Sequence, residues 1–174
     1  MTRFRGADIV RFYEGTAPDS EGRYIEQILR FDDRALERTH DYIQWLFPTP
    51  QRSAFNPDAP PLDDSAIAEF RARPELQTAL RRSLNRMLGF YGLEWDGGAI
   101  RRGTSFGNHD GWLQVGDHNH LRLTRILNSL RTLGDEEAAR ELFRCLATIY
   151  DDERRRGRTA ISETTYCFWR DAAG

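Results

Sequence analysis

Chemistry in this chain would start at its four histidines. His109-Asp110 followed by Asp117-His118 gives a scattered His/Asp pattern of the kind that holds a metal. A metal-dependent hydrolase using His109, Asp110, Asp117 and His118 is therefore one alternative reading. Against it, three of these four share one glycine-rich loop, whereas such a site draws its ligands from several packed helices. His118 and His120, if helical, point about 200° apart and cannot share an ion. Loop hydrogen bonding, with Asp117 as a helix cap, accounts for the same residues. Gly103–Gly107 reads Gly-Thr-Ser-Phe-Gly but lacks the strand before and helix after that a nucleophile elbow needs. A phosphate loop needs a lysine, and every basic side chain here is arginine. No catalytic residue, metal or cofactor is assigned, and the chain does not read as an enzyme.

Two polar-aromatic segments are better suited to binding. In Asp41–Pro48 (DYIQWLFP), Ile43, Leu46 and Phe47 belong to a core face. Tyr42 and Trp45, three residues apart, share a second face and carry polar handles that suit a half-open pocket. In the second segment, His118, Arg122, Arg125 and Ser129 fall at i, i+4, i+7 and i+11, opposite a row of leucines. A solvated face is the ordinary explanation of such a stripe. Its two guanidinium forks, with Asn119 beside them, could instead hold a carboxylate, a phosphate or a partner's acidic side chain. The candidate ligand-binding residues are thus Tyr42, Trp45, His118, Asn119, Arg122 and Arg125, with a peptide or protein segment as the partner.

A third reading, weak nucleic-acid binding, would use Arg81, Arg82, Arg86 and Arg154 to Arg158. The formal net charge of −2 argues against it, and nucleic acid is not expected as a partner.

The elements that position these residues are helical. Asp8–Tyr13 reads as a short helix stopped by Gly15. Asp19 or Ser20 caps a second, with Tyr24, Ile25, Ile28, Leu29 and Phe31 inward. From Asp32 or Asp33, Leu36, His40, Ile43 and Leu46 recur at helical spacing as one helix that Pro48 ends. Residues 48–62 hold five of the seven prolines and form an extended loop pinned by Phe55 and Leu62, placed to cover Tyr42 and Trp45. Helix resumes at Asp63 or Asp64, and again at Pro74 with Leu76, Leu80, Leu84, Met87, Leu88 and Tyr91 inward, until Gly92. Residues 93–117 form a second long loop, with room for one hairpin at Gly97-Gly98. The Leu123–Leu133 stripe stops at Gly134, Asp135 caps the next helix, and Ser162 caps a last one carrying Tyr166, Phe168 and Trp169.

The expected fold is all-α: a single irregular bundle of about seven helices filling one domain over residues 1–174. The 39% hydrophobic and 30% charged composition suits a folded soluble chain. Cys145 and Cys167, both within helical patterns, read as free thiols in a reducing cytoplasm. No apolar stretch approaches a membrane span. Oligomeric state is not readable.

IVRFYEG (9–15), THDYIQWLFP (39–48), RMLGFYG (86–92) and HNHLRLTRILNSLRTLG (118–134) resemble, in that order, the conserved region of the opioid growth factor receptor family. The resemblance runs from about residue 8 to the Tyr166–Trp169 helix and implies a helical domain. Animal members of that family are named for binding an enkephalin peptide. The resemblance therefore implies a non-catalytic binding module that recognises a peptide or protein segment. The family's aromatic-rich stretch before the Leu123 helix is here SFGNHDGWLQVGDHNH, only loosely similar. The exclusive use of arginine suits a GC-rich genome, and the chain reads as a bacterial member.

Overall fold

The computed structural model describes residues 4–53 and 56–174. Among these residues it is mostly helical, with nine α-helices and one antiparallel hairpin. The chain gathers into two compact units, one comprising Met1–Arg86 with Thr132–Gly134, the other Met87–Arg131 with Asp135–Gly174.

The first unit contains α1 (Gly6–Tyr13), α2 (Ile25–Leu29), α3 (Asp33–Arg38), α4 (Ile43–Leu46), α5 (Asp64–Ala72) and most of α6 (Pro74–Phe90). Local chemistry sets several boundaries. Asp32 caps α3 by accepting from the Ala35 N–H at 2.7 Å, and Asp63 caps α5 through Ala66 at 2.9 Å. Pro74 occupies the first turn of α6, where its missing N–H costs nothing. Helix α1 packs on α5, and so closely that a Cβ at Gly6 would lie 2.6 Å from the Asp63 carboxylate.

Three expectations fail here. Tyr24, expected inward, is 42% exposed. Asp19 caps no helix; its buried carboxylate instead closes a loop, accepting from the Glu21 and Arg23 N–H groups and from Arg23 Nε at 2.8–2.9 Å. Nor is 33–47 one helix. The backbone leaves α3 at Thr39 in an extended conformation and restarts at Ile43. The segment between is tied from elsewhere: Arg23 reaches the Asp41 carboxylate at 2.7 Å, and Asn56 donates to the Asp41 carbonyl at 2.9 Å. Of the proline-rich loop, Leu62 is buried as expected and its N–H donates to Thr49 at 3.1 Å. Asn56 and Ala59 are buried too, while Phe55 lies outside the described residues.

The second unit holds the end of α6, the hairpin β1 (Leu93–Asp96) and β2 (Ala99–Arg102), α7 (His118–Thr132), α8 (Glu136–Arg155) and α9 (Glu163–Ala173). The hairpin makes the fold not strictly all-α. Its turn residues Gly97 and Gly98 both have positive φ (58° and 88°), the conformation a two-residue connection requires. Asp135 and Ser162 cap α8 and α9 through the Ala138 and Thr165 N–H groups. Helix α8 contacts both α9 and β2, and the Tyr150 and Tyr166 rings stack at 4.5 Å between α8 and α9. Trp169 is buried from α9, whereas Phe168 is 55% exposed. Cys145 is buried and Cys167 half-buried, both free.

Candidate binding site

The six sequence-selected residues divide between the two units: Tyr42 and Trp45 lie in the first, and His118, Asn119, Arg122 and Arg125 in the second.

Tyr42 and Trp45 have no exposed surface. Because the chain leaves helix at Thr39, the face they share turns inward rather than along an open pocket. The Tyr42 hydroxyl donates to the Leu36 carbonyl at 3.2 Å, and its ring meets Phe31 edge-on. Trp45 packs between Phe12 (5.4 Å) and the edge of Phe4 (5.2 Å). Its indole N–H is buried with no acceptor among the described residues. Close by in sequence, the Tyr13 hydroxyl donates to the Leu46 carbonyl, and burial pushes its pKa upward so that it stays neutral. These polar handles work inside the core. A direct ligand contact at Tyr42 or Trp45 would need the unit to open.

On α7 the stripe is also mostly internal. Arg122 and Ser129 are buried, whereas Leu121 on another face is 57% exposed. Asp117 accepts from the Asn119 N–H at 2.8 Å, the expected cap. The buried Asn119 Oδ1 then accepts from Arg122 at 3.2 Å and from the Tyr91 hydroxyl at 3.4 Å. Burial pulls the Arg125 pKa downward. His118 keeps 40% of its side chain exposed and sits 3.9 Å from Asp117.

The residue that the sequence reading passed over is His120. Its Nε2 lies 3.0 Å from the Trp112 carbonyl, which fixes the proton on Nε2. Trp169 donates from its indole to the His120 carbonyl at 3.0 Å. Both indoles stand nearly perpendicular to the imidazole, at 6.3 Å (Trp112) and 5.5 Å (Trp169). Burial lowers the His120 pKa and keeps the ring neutral. This Trp112–His120–Trp169 cluster ties the loop before α7, the first turn of α7 and α9 together. Around it, large apolar side chains reach solvent: Val115 (72% exposed) three residues after Trp112, Leu121 one after His120, and Phe168 one before Trp169.

Of the four residues of the alternative metal reading, Asp117 and His118 approach one another, at 3.9 Å. No three of His109, Asp110, Asp117 and His118 bring ligand atoms within 4.8 Å of one another. The arginines of the nucleic-acid reading are engaged as well: Arg82 pairs with Glu26 and Arg86 with Asp33, each at 2.7 Å. Arg155 and Arg158 pair with Asp152 and Glu153, and Arg154 donates to the Tyr150 hydroxyl.

Residues 7–155 match the family described as the opioid growth factor receptor (OGFr) conserved region, and the chain belongs to that family. It is similar to the opioid growth factor receptor of Mus musculus, 39% identical over 129 residues, covering 71% of this chain and 20% of that protein. The Homo sapiens protein of the same name is 38% identical, with 71% and 19% covered. Opioid growth factor receptor-like protein 1 of Xenopus tropicalis is 36% identical over 133 residues, with 73% and 26% covered. The matched region thus spans about a fifth to a quarter of these relatives. No solved structure matches the chain. Among the described residues, no helix is long and apolar enough to cross a membrane.

Proposed function

We propose that this chain is a binding module, without chemistry of its own, for a short peptide segment that carries an apolar or aromatic anchor. The observation that carries this reading is membership of a family whose relatives are named as receptors, over residues 7–155. The surface that suits such a segment is the one bearing Val115, Leu121 and Phe168. Exposed apolar residues are ordinary when scattered, but Leu121 and Phe168 each adjoin in sequence a member of one buried cluster, and Val115 follows Trp112 by three residues. A preformed support of that kind lowers the ordering cost of binding. His118 offers a polar contact beside it. Asn119 and Arg122 bond to one another within the first turns of α7. Tyr42 and Trp45 serve the module through the core of their own unit.

The test is selection of short random peptides against the purified protein, with an enkephalin peptide included as a defined probe. Recovered sequences sharing an apolar anchor, bound by folded but not heat-unfolded protein, are expected. Failure to enrich any sequence, together with no enkephalin binding, would contradict the reading.

A further inference from the structure

The hairpin leaves one edge of β2 without a neighbouring strand. The Gly103 N–H donates to the Gly92 carbonyl at 2.8 Å, one step beyond the Leu93–Arg102 pair. Bonded and non-bonded pairs alternate in an antiparallel ladder. Glu94–Arg101 and Asp96–Ala99 are therefore bonded pairs, whereas Leu93–Arg102 and Trp95–Ile100 are not. Ile100 and Arg102 thus turn their N–H and C=O groups away from β1. No backbone hydrogen bond from any other described residue reaches them.

A groove of about 470 Å³ runs along this edge. All four residues of β2 line it, facing Glu141, Arg144, Cys145, Thr148 and Ile149 of α8, and no residue of β1 takes part. From Glu141 to Ile149 the helix rises about 12 Å, and four strand residues span about 13 Å, so the two walls match in length. Ile100, Cys145 and Ile149 are buried and give the groove an apolar floor. Its arginines, Arg101, Arg102 and Arg144, pair with Asp96, Asp152 and Glu141, which leaves no surplus charge.

We propose that this edge takes an extended, uncharged peptide segment of about four residues as a third strand beside β2 and over α8. The complementarity is one of donors and acceptors. Another main chain offers both at the two-residue repeat that Ile100 and Arg102 present. Alternate side chains of the segment face Cys145 and Ile149, so those are apolar. The edge shares no residue with Val115, Leu121 and Phe168, and each reading can fail without the other.

The experiment is amide hydrogen exchange read by NMR, on the protein alone and with the blocked peptide acetyl-Thr-Val-Thr-Val-Thr-amide. At saturation the Ile100 and Arg102 amides should exchange about tenfold more slowly or less. Two further peptides carry N-methyl groups on alternate amides, in opposite phase. A third strand has one bonded edge, so one of the two should bind like the parent and the other should lose about tenfold or more. Thr148→Trp, at an exposed α8 position whose hydroxyl bonds within the helix, should weaken the parent peptide by a similar factor. No saturable protection of the two amides, equal binding of the two methylated peptides, or undiminished binding by Thr148→Trp would overturn the proposal. So would protection that grows with protein concentration alone, which would give the edge to a second copy.

Discussion

At Trp45 the distinction between a recognition residue and a core residue reduces to solvent access and neighbours. A side chain with no exposed surface, held by Phe12 and Phe4, leaves a large cavity when truncated. Trp45→Ala should therefore destabilise by about 3–5 kcal/mol in urea unfolding, close to the loss for the neighbouring core change Leu46→Ala. A loss below about 1 kcal/mol would place Trp45 on the surface. His120 makes a prediction in pH. Its folded pKa lies below the unfolded value of about 6.5, so the unfolded chain takes up a proton first as the pH falls. The stability linked to His120 is present above about pH 6.5 and is lost as the pH drops through that value toward the folded pKa. His120→Gln should flatten this part of the stability profile, whatever its effect at neutral pH. Unfolding curves across the window would show it, and an unchanged slope would count against a buried neutral ring. The aromatic string around Trp45 could be read in sequence, but not its direction. That depends on where the helix breaks, and the break is fixed by Arg23 and Asn56, 18 and 15 residues from Asp41.

Helix ends were the most legible feature at the scale of elements, because a cap is a bond between residues three apart. Asp135 and Ser162 cap where expected, and of the pairs Asp32/Asp33 and Asp63/Asp64 the caps are Asp32 and Asp63. The hairpin at Gly97-Gly98 was also readable, since its turn demands two residues with positive φ. The α7 stripe was not. His118, Arg122, Arg125 and Ser129 have the spacing of a solvated face, and spacing alone cannot show that Asn119 and Tyr91 enclose it. Two glycines of α6 and its end give an element-scale test. Gly92 has φ +70°, and a Cβ there would lie 2.8 Å from the Phe106 Cα. Gly92→Ala should cost more than about 2 kcal/mol, through both the conformation and the contact. Gly89 is exposed within the helix with nothing within 4 Å, so Gly89→Ala should stabilise by about 0.5–1 kcal/mol. Equal effects at the two sites, measured by urea unfolding, would contradict the backbone account.

For the whole molecule, the proposed binding residues are the exposed apolar side chains Val115, Leu121 and Phe168 of the second unit, near in sequence to the buried Trp112, His120 and Trp169. The family was legible because its strings of buried aromatics and leucines are the residues that packing constrains most. The surface was less so, because exposure of Leu121 and Phe168 follows from how α7 and α9 meet at Trp169 and His120. The most direct test is the affinity of a selected peptide for Leu121→Glu, Phe168→Glu and Tyr24→Glu, measured by fluorescence anisotropy. All three side chains are exposed, at 57%, 55% and 42%, so each variant should fold, and Tyr24 belongs to the other unit. The account predicts a loss of about tenfold or more, some 1.4 kcal/mol, for Leu121→Glu and for Phe168→Glu, with Tyr24→Glu binding like the parent. Unchanged affinity in the first two variants, or an equal loss in all three, would contradict it.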